Sequence, residues 1–307
     1  MMSRFRTPLP LAAALIAAVP LPLAAAVQMP QGATSAAPAG TAPAGVGPAF
    51  ADLTDLVLAA PVIVDATIAS TTRIKGAEAA GVAPGMTRYY VEADVGALVR
   101  GAAGVPQRIG YLLDVAPDAR GRQPRLKKSR VLLFARPVAA AGDQLQLVAP
   151  DAQLAWTPGL DASVRSIATA VVAADAPPAI VGVGNAFHVP GALPGESETQ
   201  VFLKTADARP VSLSILRRPG EQPRWSVALG EIVDDAAGPP VRDTLLWYRL
   251  ACALPPVLPD ASVGDLDQTG ATAAKEDYAV VIAALGPCGR TRSTPGSNDL
   301  SAGAAPA

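Results

Sequence analysis

The stretch TRYYVEADVGALV, residues 87–99, decides the fold. Ala93, Val95 and Ala97, with Tyr90 or its neighbour, share a face at a period of two, the spacing of a half-buried strand. Four runs of the same kind surround it, at 56–68, 108–115, 129–137 and 144–149. Pro61 inside the first run places that strand at an edge or a bulge. Glycine- and proline-rich segments at 76–85, 101–106 and 117–124 separate the runs. Five short strands with no long helix-period segment predict an OB-like five-stranded Greek-key barrel over residues 49–150.

Beyond the barrel the period changes. Val164, Ile167, Ala168 and Val171 form one apolar stripe, so a helix capped by Asp161 and stopped by Pro177-Pro178 is expected as a connector over 151–178. Residues 179–288 then predict a second, α+β domain. Its strands are expected at 180–189, 199–205, 210–217 and 223–233, in an antiparallel sheet. Asp243 opens a helix with Leu246, Trp247 and Leu250 facing inward, and Pro255-Pro256 stops it. A last helix carries Tyr278, Val281, Ile282 and Leu285 and ends at Gly286-Pro287. The fold class is therefore mainly β followed by α+β, with the helices at the C-terminal end.

The first residues set the compartment. Arg4 and Arg6, the apolar run 11–19 and Ala24-Ala25-Ala26 follow the order of a secretory signal peptide, cleaved after Ala26. A periplasmic or secreted bacterial protein is expected, without ATP, NAD(P)H or a reducing buffer. In that setting Cys252 and Cys288 read as one disulfide pinning the last two helices. Closing that loop stabilises the fold by roughly 3–4 kcal/mol. Residues 27–48 and 289–307 are rich in Ala, Gly, Pro, Ser and Thr and are expected to be disordered. There is no second long apolar run, hence no transmembrane segment, and no Cys near the cleavage site for a lipid anchor. Losing Arg4 and Arg6 takes the 25 basic residues to 23, against 26 acidic ones, which disfavours nucleic acid. The partner class left is an envelope component, either protein or an anionic polymer or lipid, with the oligomeric state open.

One resemblance is carried by the first domain. Asp55-Leu56-Val57 leads into the run ending at Ile68. Tyr89-Tyr90-Val91-Glu92-Ala93-Asp94-Val95 leads to Leu98-Val99-Arg100-Gly101, and an apolar strand follows at Val131-Leu132-Leu133-Phe134. In this order they resemble the tissue-inhibitor-of-metalloproteinase or netrin-like module, over residues 53–150. The resemblance implies an OB-type barrel. It does not carry inhibition, because the animal inhibitors chelate the protease zinc through a Cys at the mature N-terminus and this domain holds no Cys. Residues 178–288 resemble no family.

Catalytic constellations are sparse. His188 is the one histidine, and Gly195-Glu196-Ser197-Glu198-Thr199 lacks the second glycine of a nucleophile elbow, so His188 is expected to be structural or exposed. Gly182-Val183-Gly184 lacks the third glycine of a dinucleotide fingerprint. Asp265, Asp267, Thr269, Gly270 and Glu276 match the spacing of a calcium loop, against which a solvated loop is the plainer reading. Arg120, Arg122, Arg125, Lys127, Lys128 and Arg130 place six bases in eleven residues without an acid. They form either a patch for an anionic polymer or lipid head group or a polar hairpin turn, with no aromatic partner expected nearby. No catalytic, cofactor or metal residue is assigned. The expected function is a non-enzymatic envelope binding or interaction module. The alternatives are a hydrolase using Asp234-Asp235 or Ser129 beside Lys128, and a calcium-binding protein acting through the loop from Asp265 to Glu276.

Overall fold

The chain enters on a helix where a strand is expected. The computed structural model, which describes residues 47–139, 141–230 and 238–292, places helix α1 at Phe50–Ala59. Leu53, Leu56 and Val57 recur at helical spacing and are buried. Pro61 then forces Ala60 out of the helical region, to φ −98° and ψ 108°, and the helix ends. The apolar run 56–68 therefore belongs to two elements. Pro61 is the break between α1 and strand β1 (Val62–Arg73), not a bulge inside one strand.

Strands β2 (Thr87–Arg100), β3 (Arg108–Val115), β4 (Arg130–Val138) and β5 (Ala141–Leu147) follow, with a short β6 (Gln153–Ala155). Neighbours run β1-β2-β3-β5-β4, and β4 pairs back onto β1, so five strands close into a barrel with β6 outside β4. Closure needs β1 to serve two partners at once: Ile63 opposes both Arg100 of β2 and Phe134 of β4. Three register shifts against β2 give β1 the bend this requires. Inside lie Val64, Ile68, Val91, Ile109, Tyr111, Val131, Leu133 and Leu145. The opposite faces of β1 and β4 are buried as well, since Ile63, Leu132 and Phe134 pack on Leu53, Leu56 and Val57 of α1 and on the next helix. Burial on both faces explains why residues 131–135 are continuously apolar instead of alternating.

That next helix is α2 (Pro158–Val172). Its cap is Thr157, whose hydroxyl accepts the Leu160 N–H at 3.2 Å, with Pro158 at the first position; Asp161 lies inside the first turn. The second sheet is a meander of β7 (Ile180–Pro190), β8 (Ser197–Thr205), β9 (Val211–Arg217) and β10 (Arg224–Ala228), ordered β10-β9-β8-β7. Helices α3 (Leu245–Ala251) and α4 (Gln268–Leu285) cover one face, burying Val201, Leu213, Ile215, Leu250, Tyr278 and Val281. Helix α1 joins both halves: Ala51 belongs to this core, while Leu53 and Val57 belong to the barrel side. Cys252 and Cys288 stand at disulfide distance, with Cα atoms 4.8 Å apart, where they tie the end of α3 to the segment beyond α4.

Ordered chain continues past Cys288. The Thr291 N–H and hydroxyl and the Arg292 N–H all donate to the buried Asp52 carboxylate of α1, and Arg290 grips Asp55. The expected signal peptide and linker up to residue 46, the expected tail from residue 293 and the Asp234-Asp235 pair lie outside the described residues. Among the described residues no helix is long and apolar enough to cross a membrane.

Candidate functional site

The barrel is held least continuously between β3 and β5. These two parallel strands pair only at Gly110 with Gln144 and at Tyr111 with Leu145. Residues 112–115 stay paired with β2 on their other side, so the peptide groups they turn toward β5 meet no ladder partner there. A groove of about 870 Å³ opens over this seam. Arg88 and Tyr90 of β2, Leu112 and Asp114 of β3, Arg136 of β4, and Gln144 and Gln146 of β5 line it.

Local sequence shapes each wall. Tyr90 lies across β3 directly over Gly110, and a Cβ at that position would overlap the Tyr90 hydroxyl, so only glycine admits the ring. Leu112 is 52% exposed and supplies the apolar part of the floor. Arg88 binds Asp114 through two parallel hydrogen bonds, both 2.7 Å, which fixes the two side chains against each other. Behind the wall Tyr111 donates to Gln153 at 2.6 Å, and burial pushes its phenol above the usual range. Arg136 makes no ion pair among the described residues. The seam thus offers apolar contact, two amide side chains, one unpaired guanidinium and a bare strand edge. An extended chain could pair with such an edge.

The six bases at residues 120–130 separate into two groups. Arg122 holds Asp118 at 3.1 Å, and Asp118, which also accepts the backbone N–H groups of Arg122 and Arg120, is shifted below the usual carboxylate range. Arg130 pairs with the buried Asp65 at 2.6 Å and lies 3.6 Å over the Trp156 ring. These two are structural. Arg120, Arg125, Lys127 and Lys128 are exposed and form no ion pair among the described residues. An aromatic ring does lie nearby, contrary to expectation: Tyr89 lines a depression of about 300 Å³ together with Thr71, Arg125, Lys127 and Lys128. Ser129 is partly covered at the start of β4.

His188 is half-buried on β7. Its Nδ1 lies 2.8 Å from the Thr199 hydroxyl, which itself donates to Asp277. Arg217 also donates to Asp277, at 2.5 Å, and Thr199 and Asp277 are fully buried. The twelve-residue calcium loop is not formed. Asp267 caps α4 by accepting the Gly270 N–H at 2.7 Å, and the chain from Gln268 through Glu276 is helical. Among the described residues no cluster of three His, Cys, Asp or Glu side chains is placed to hold a metal.

Compared with known proteins, the chain matches no family model and no curated sequence. The seam residues escaped sequence reasoning because a parallel pairing of distant strands leaves no local signature. The usable signal was glycine in a strand: Gly110 interrupts an otherwise apolar run, which marks a close approach.

Proposed function

We propose that the chain is an exported, non-enzymatic binding module of the bacterial envelope that takes an extended segment of a partner protein along the β3–β5 seam. The observation carrying this reading is the seam itself, a strand edge without a ladder partner at the floor of a groove whose lining is apolar and hydrogen-bonding. An added strand would gain backbone hydrogen bonds from residues 112–115, with side-chain selection by Leu112, Tyr90 and Arg136. The order β1-β2-β3-β5-β4 with its parallel β3–β5 step supports the OB-like reading of the barrel, a fold widely used for binding. The charged leader, the short apolar run and the Ala24-Ala25-Ala26 end support export.

Photo-crosslinking in intact envelopes tests this. A photoreactive residue replacing Leu112 should capture an envelope protein, and the same residue replacing the exposed Leu229 should not. Capture should disappear when Gly110→Val displaces Tyr90. Equal capture at both positions, or capture indifferent to Gly110→Val, refutes the seam as the binding site.

A further inference from the structure

We propose that the depression at the turn between β3 and β4 is a second binding site, for a phosphate group, built from Arg125, Lys127, Lys128, Tyr89 and Thr71. It shares no lining residue with the seam, so the two readings stand or fall separately. Of the six bases clustered in sequence, the structure withdraws Arg122 and Arg130 into ion pairs and leaves Arg125, Lys127 and Lys128 around one concavity. Arg73 directly opposes Tyr89 across β1 and β2, so its side chain leaves the sheet on the same face as the ring, beside the depression. Arg73 is exposed and forms no ion pair among the described residues.

The turn is anchored, which distinguishes a site from a solvated loop. The Lys128 N–H donates to the Ile68 carbonyl at 2.8 Å, the Ile68 N–H to Ser129 at 2.9 Å, and the Ser129 N–H to Leu126 at 3.1 Å. Leu126 packs onto the barrel core between the bases. Lys128 is held at φ 70°, a left-handed conformation that glycine or asparagine would adopt more readily. Converging Arg and Lys heads suit a multiply charged oxyanion: Arg donates a two-pronged fork and Lys a compact point charge. Thr71 adds a hydroxyl, and a volume of about 300 Å³ admits a phosphate with part of the group it esterifies. A lipid head group and a soluble phosphate compound share this chemistry.

The test uses the full chain at low salt. Inorganic phosphate is titrated while the backbone amides of residues 125–129 are followed by NMR. Sedimentation is measured with vesicles of phosphatidylcholine, with and without phosphatidylglycerol. We expect phosphate to shift those amides and to compete with any vesicle binding. Lys127→Glu with Lys128→Glu should weaken binding at least about 30-fold, since each Lys near an anionic surface contributes about a factor of five to ten. Lys128→Gly should weaken it less while leaving the backbone turn intact. Arg120→Glu reverses a base of the same loop that does not line the depression, and it should retain most of the affinity. Phosphate shifts without vesicle binding assign a soluble ligand, and phosphatidylglycerol-dependent sedimentation assigns a lipid. Equal losses from Arg120→Glu and the Lys pair would reduce the site to diffuse charge and overturn it, as would the absence of both responses.

Discussion

Gly110→Ala should destabilise the chain only while Tyr90 is present. A Cβ at residue 110 overlaps the Tyr90 hydroxyl and comes to 2.7 Å and 3.1 Å from two further ring atoms. The ring must therefore leave its seat across β3. Because Tyr90 is only partly buried it can swing outward, so the overpacking penalty belongs at the low end, about 1–2 kcal/mol. Replacing glycine within a strand also removes unfolded-state entropy, a gain of roughly 0.5 kcal/mol. The net expectation for Gly110→Ala is a loss of about 1 kcal/mol in the parent and a gain of about 0.5 kcal/mol beside Tyr90→Ala. A double-mutant cycle by urea denaturation should then give a coupling of about 1.5 kcal/mol. Identical effects in both backgrounds would show that Tyr90 does not rest on Gly110, and the described wall of the seam would be wrong.

Other perturbations test the second half of the molecule. Asp277→Ala strands the buried Thr199 hydroxyl and leaves Arg217 unpaired, so urea denaturation should register a loss of about 2–4 kcal/mol; a loss under about 1 kcal/mol would contradict the network. Replacing Cys252 and Cys288 with Ser frees a 36-residue loop in the unfolded chain and should lower stability by roughly 2–4 kcal/mol, while equal urea midpoints would show that the bond contributes nothing. Burial first, and then the hydrogen bond to Asp55, pushes the Tyr248 phenol up to about 12 from its ordinary 10. The folded state therefore keeps a proton that the unfolded state releases, so stability is complete below pH 10 and falls as pH rises toward 12. Tyr248→Phe should flatten that alkaline decline by about 2 kcal/mol, and an unchanged decline would refute the assignment.

Elements that bury one face were legible in the sequence. β3 spans the run expected at 108–115, and β2 ends one residue beyond its expected run, at Arg100. α1 was hidden because Leu56, Val57 and Leu58 join the strand residues after Pro61 in one apolar run, where period carries no information. The start of α4 was ambiguous for a chemical reason. Asp accepts N–H groups at a helix cap as readily as it ligates calcium, so Asp267 fits both patterns until its partner, Gly270, is seen. Which bases of the 120–130 cluster are free was not legible, because that depends on Asp65 and Asp118, and Asp65 is distant in sequence. The seam left no signature beyond Gly110, since it arises where two strands 34 residues apart in the chain part company after Tyr111 and Leu145.

Hydrogen exchange at the β3 amides tests the central claim most directly. It is measured at residues 112–115 in the free chain and in the adduct captured through position 112. Gly110 and Tyr111, paired on both sides, should exchange slowly in each state. Among residues 112–115, the amides directed at the seam should exchange quickly in the free chain and become protected in the adduct, as an added strand requires. Slow exchange of those amides before capture, or fast exchange that persists after it, contradicts a partner strand bound at the seam.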